Sequence, residues 1–88
     1  MVNLEGVCVG VDVVTRDAKK LVRRLNRRKG VAAVVGGVYA ADHNYSIVWV
    51  DGMSEDTLDD WLYRVNHGCE YIGCFTKATG NSVTSESV

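Results

Sequence analysis

Residues 7–30 read VCVGVDVVTRDAKKLVRRLNRRKG, and the change of rhythm at Thr15 decides the fold. Before it, Val7, Val9, Val11 and Val13 alternate with Cys8, Gly10, Asp12 and Val14, the period of two that sets one row on each face of a β-strand. After it, Ala18, Leu21, Val22 and Leu25 recur at i, i+3, i+4 and i+7, which draws one apolar stripe along a helix. Thr15 reads as the N-cap, and Asp17 sits in the first turn, where the helix dipole favours an acid. Arg27, Arg28 and Lys29 suit the negative end, and Gly30 stops the helix as a C′ residue.

Downstream the same design recurs. Residues 31–40 read as a second strand, interrupted by Gly36-Gly37, where a bulge or a close backbone approach is the expected reason for the glycines. Ala41-Asp42-His43-Asn44 is turn chemistry, so residues 45–50 return as the other arm of a hairpin. Ser54 caps a second helix, with Glu55 and Asp56 in its first turn. Leu58, Trp61, Leu62 and Val65 form its stripe, and Gly68 closes it. Residues 70–76 supply a fourth strand. Thr, Ser, Gly and Asn dominate thereafter, which predicts one domain over residues 1–77 and a flexible polar tail over 78–88.

The order β-α-β-β-α-β resembles the ferredoxin-like fold over roughly residues 4–77. That resemblance implies an α+β sandwich: a four-stranded antiparallel sheet, ordered 4-1-3-2, with two helices on one face. It is shared by many unrelated functions and implies none by itself.

With 88 residues, 47% of them hydrophobic and 24% charged, the chain can bury a core. It has no apolar run long enough to span a membrane and no signal-like start, so a cytoplasmic location is expected. Three cysteines, Cys8, Cys69 and Cys74, fit reduced thiols better than a disulfide framework.

The net charge of −1 conceals a segregation. Eight of the ten basic residues lie between Arg16 and Lys29, whereas Glu55, Asp56, Asp59 and Asp60 gather on the second helix. Lys19, Lys20, Arg23, Arg24, Arg27 and Arg28 all fall off the apolar stripe, and the outward row is expected to run from Lys20 through Arg24 to Arg28. Such a ridge suits phosphate or carboxylate, so the expected partner is an acidic protein surface or nucleic acid. Pairing with the acidic second helix, or plain solvation, are the competing readings. No aromatic is interleaved, which argues against stacking on single-stranded bases.

Two helices can cover only one sheet face. An apolar second face predicts a homodimer through that face or an edge strand, with Val48, Val50 and Cys74 assigned to the interface.

The residues that could carry chemistry are few. His67, Cys69 and Cys74 have the spacing His-x-Cys-x4-Cys, which lacks the tight Cys-x2-Cys pairing of structural zinc sites, so no metal is expected there. His43 and His67 sit in no nucleophile motif. Asp12 lies on an apolar strand. Small RNA-cleaving and CRISPR-adaptation subunits of this fold carry an aspartate near the end of the first strand, and the similarity would make Asp12 a metal ligand; the expected role is instead a structural one at a dimer interface. Acylphosphatases share the size and fold, but their glycine-rich phosphate loop is replaced here by Val13-Val14-Thr15-Arg16. Trp61 belongs to the stripe and is expected in the core, and Tyr63 is expected at the helix edge, partly buried.

These observations predict a non-enzymatic adaptor or inhibitor that docks its basic helix, with no cofactor. The alternatives are a dimeric metabolite-sensing module similar to the ACT and Lrp-type effector units, a small maturation chaperone, or a metal-dependent nuclease using Asp12.

Overall fold

A computed structural model describes residues 3–38, 43–65 and 70–84; the side chains of residues 3–6, Val65, Ile72 and residues 74–84 lie outside that description. The elements are β1 (Asn3–Val14), α1 (Thr15–Asn26), β2 (Ala32–Val38), β3 (Tyr45–Asp51), α2 (Glu55–Val65) and β4 (Tyr71–Thr84). The chain is a small α+β unit in which β2, β3 and β1 form an antiparallel sheet with two helices packed on it.

Alternation sorts the sheet residues into two sets. Val9, Val11 and Val13 of β1, Ala33 and Val35 of β2, and Val48 and Val50 of β3 meet Ala18, Leu21 and Leu25 of α1 and Leu58 and Leu62 of α2 in one core. Burying one such Leu or Val side chain contributes about 1.5–3 kcal/mol, so this layer dominates the stability. Val48 and Val50 are fully enclosed under the helices. That removes them from any interface on the opposite face and corrects their assignment to a dimer contact; the Cys74 side chain lies outside the described residues. The spacing separates the two faces of a strand but does not say which one the helices cover.

On the opposite face, the described side chains are largely covered. Cys8, Val34 and Trp49 form a second cluster there, with Ala32 and Ile47 packed against it, and Trp49 is only 9% exposed. The backbone of β4 borders β1. It runs antiparallel to β1 from Tyr71 to Thr84, with Val7 opposite Ala78 and Asn3 opposite Thr84. Residues 78–84 are therefore strand rather than the expected tail, and the boundary at residue 77 falls inside β4. Although β4 is separated from β2 by two strands in the hydrogen-bonded order, the two approach each other. The register of β1 on β4 is irregular between Leu4 and Gly6 and between Asp12 and Val13.

Glycine at position 36 has a specific cause. The register of β2 on β3 slips between Val35 and Gly37, leaving Gly36 as the extra residue of a bulge. A Cβ there would stand 2.5 Å from Nε1 and 2.6 Å from Cδ1 of Trp49. The missing side chain is the space in which the indole lies. At Gly52, with φ +95°, a Cβ would collide with the Gly30 carbonyl, so the loop after β3 passes close to the loop after α1.

Candidate functional site

The candidate site is the outer face of α1, and both of its ends are tied down. At the start, Val14 precedes the helix and offers no side-chain cap. Thr15, expected as the cap, is the first helical residue, and its hydroxyl serves tertiary structure instead. It donates to the His43 carbonyl at 2.8 Å, and with that proton committed the buried Ser46 hydroxyl donates to it at 2.9 Å. The Thr15 and Val14 amides bond the carbonyls of Asn44 and Glu70 at 2.7 and 2.9 Å. Asp17, buried in the first turn, accepts a hydrogen bond from the Glu70 amide at 3.1 Å. Arg16 reaches the Glu70 carboxylate at 3.2 Å, an exposed pair that contributes little.

At the far end Asn26 closes the helix onto β2. Its amide nitrogen donates to the Ala33 carbonyl at 3.1 Å, and its oxygen accepts from the Ala33 amide at 2.8 Å. This side chain takes the place of a neighbouring strand along one residue of β2. Nothing in the sequence pattern singles it out, because an Asn in the last helical turn is an ordinary stop signal.

Between these anchors the stripe turns inward and the cations turn out. Lys19, Lys20, Arg23 and Arg27 are exposed and make no ion pair among the described residues. The remaining two basic positions differ from the expected row. Arg24 is half-buried, and the Arg28 guanidinium lies over the Trp61 ring of α2, 5.7 Å from its centroid. The outward row is thus Lys20, Arg23 and Arg27 flanked by Lys19, rather than Lys20, Arg24 and Arg28. Geometry on a 3.6-residue period gives the same answer once Leu21 and Leu25 define the inward direction.

The second helix presents the opposite sign. Ser54 caps it, accepting from the Thr57 amide at 3.2 Å, and among its described side chains Leu58 and Leu62 are buried. Asp56 and Asp59 are exposed without an ion pair among the described residues, while Asp60 pairs with Arg64 at 3.2 Å. Trp61 is half-buried against the core, not within it, because one ring face carries Arg28. Tyr63, expected as partly buried, is 84% exposed beside these acids.

The other residues singled out for chemistry are not assembled into a site. Asp12 is half-buried, and among the described residues no three His, Cys, Asp or Glu side chains gather as a metal would require. His67 and Cys69 lie outside the described residues. Cys8 is a buried thiol, and burial with the nearby Asp51 carboxylate pushes its pKa up, the reverse of what a nucleophile needs. Among the described residues no helix is long and apolar enough to cross a membrane. Comparisons with protein families, with curated proteins and with solved structures found no match.

Proposed function

We propose that the chain is a non-enzymatic interaction module of ferredoxin-like build, with all four strands in one antiparallel sheet, which docks the outer face of α1 on an acidic partner. One observation carries the reading: Lys19, Lys20, Arg23 and Arg27 stand exposed and without ion pairs among the described residues, on a helix anchored at both ends. Like charges at i,i+4, such as Lys19 with Arg23 and Arg23 with Arg27, destabilise a helix by about 0.2–0.5 kcal/mol each. An acidic surface relieves that repulsion, and a helix already fixed loses little freedom on binding it.

An acidic protein surface fits better than an extended nucleic acid. The exposed Asp56 and Asp59 on α2 repel an extended phosphate backbone laid across the helical layer, whereas a bounded acidic patch can engage α1 alone. Binding to poly-glutamate and to a short DNA duplex, each measured across a salt series, tests the proposal. Poly-glutamate should bind at low salt, and Lys20→Glu/Arg23→Glu/Arg27→Glu should abolish binding while leaving the circular dichroism unchanged. Tighter duplex binding, with a log–log salt slope of about −4 for four neutralised phosphates, would move the assignment to nucleic acid. Unchanged binding by the triple variant would overturn it.

A further inference from the structure

We infer that the acidic surface met by α1 is α2 of a second copy of this chain, so that two helical layers associate face to face about a twofold axis. The inference rests on reading α1 as a docking surface and names its partner. Both helices pack their stripes on the same sheet face, so their opposite sides point the same way, out of the molecule. Lys20, Arg23 and Arg27 mark that side of α1; Asp56, Tyr63 and the Asp60–Arg64 pair mark it on α2, with Asp59 at its edge. Among the described residues no ion pair joins the two rows within one chain, and the contact between the helices that the structure shows is Arg28 over the Trp61 ring. Turned through a twofold, each basic row of one copy faces the acidic row of the other. The surface is complementary to itself, which is the requirement of an isologous dimer.

The opposite sheet face offers a second copy much less. Among the described residues, its aromatic and aliphatic side chains Trp49 and Val34 are already covered. The helical layer, by contrast, carries Tyr63 at 84% exposure among charges, an aromatic of the kind that anchors interfaces. Size sets the strength. Helices of 12 and 11 residues are about 18 and 16 Å long and each about 10 Å wide. Two such layers bury roughly 700 Å² together, below the ~1,200 Å² of a stable complex. The dimer is therefore weak, exchanging and governed by charge.

Sedimentation velocity on the full chain tests this with two folded variants, Arg23→Glu/Arg27→Glu and Asp56→Lys/Asp59→Lys. The wild type should associate at high micromolar concentration in about 0.02 M salt and dissociate near 0.5 M, where the Debye length falls to roughly 4 Å. Each variant alone should be monomeric, because both of its contacts become repulsive. An equimolar mixture should associate again, since the reversed α1 of one variant then faces the reversed α2 of the other, and the two unreversed rows also meet. A wild type that stays monomeric at low salt, or a mixture that stays monomeric, would overturn the inference. If poly-glutamate still binds the wild type through α1 in that case, the docking reading stands and only the identity of the partner falls. If poly-glutamate fails as well, both fall.

Discussion

Asn26 and Ala33 are joined by two hydrogen bonds, amide to carbonyl at 3.1 Å and carbonyl to amide at 2.8 Å, so the last turn of α1 is fastened to β2. The pair defines where the basic row sits relative to the sheet. Asn26→Ala should therefore lower stability by about 1–3 kcal/mol, since two backbone groups lose their partners. Asn26→Asp keeps an acceptor for the Ala33 amide but sets a carboxylate against its carbonyl, and should fall between wild type and alanine. Denaturant titration of the three proteins gives the order.

Gly36 and Trp49 provide a second test. A methyl at position 36 must push the indole aside, and overpacking of this kind costs about 1–3 kcal/mol. Gly36→Ala should also expose Trp49 to water. In a Trp61→Phe background, which leaves Trp49 as the sole indole, its fluorescence maximum should shift to the red; an unshifted maximum would mean the ring does not lie over residue 36.

Asp17 binds the backbone ahead of β4 to the first turn of α1. Asp17→Ala should destabilise the fold by about 1–2 kcal/mol through the lost charge-assisted bond. Asp17→Asn keeps an oxygen able to accept from the Glu70 amide and should recover most of the loss. Hydrogen exchange at the Glu70 amide reports the bond itself: fast in the alanine variant, slow in the other two.

Cys8 predicts a pH dependence. Its pKa is raised in the folded protein, by burial first and by the Asp51 carboxylate second, so the folded state holds the proton to higher pH than the unfolded chain. Below the unfolded thiol value of about 8.5 both states are protonated and this group leaves stability independent of pH. Above it the unfolded chain ionises first, and stability falls as pH rises. In a Cys69→Ser/Cys74→Ser background, the loss between about pH 8 and 10 should be smaller once Cys8→Ala is added. The same background should react slowly with a thiol reagent at pH 8 until it is unfolded.

Much of this was legible in the residues, for reasons that differ by element. The switch from period two to period 3.6 at Thr15 marks the strand–helix junction, because local geometry and burial impose both periods. The Ser54 cap was equally plain, its bond to the Thr57 amide being local. Thr15 was misread for the complementary reason: its hydroxyl bonds to residues 28 and 31 positions away, which no local pattern records. The strand over residues 78–84 was hidden because Thr, Ser, Gly and Ala bring no apolar alternation, and its pairing is with residues more than 70 positions earlier. Alternation separated Val48 and Val50 from Trp49 but could not say which row the helices cover. The candidate row was visible as an uninterrupted basic ridge. Its true centre at Arg23 and Arg27 emerged only when the buried stripe fixed the rotation of α1 and the Trp61 ring claimed Arg28.

Residue-resolved NMR of the labelled protein, titrated with poly-glutamate, locates the docking surface. Amide shifts should concentrate on residues 19–26 of α1 and on Arg27 just after it, and vanish near 0.5 M salt, where charges are screened within roughly 4 Å. Shifts centred on Ala32, Val34 and Trp49, or none at all at low salt, would contradict a basic docking helix.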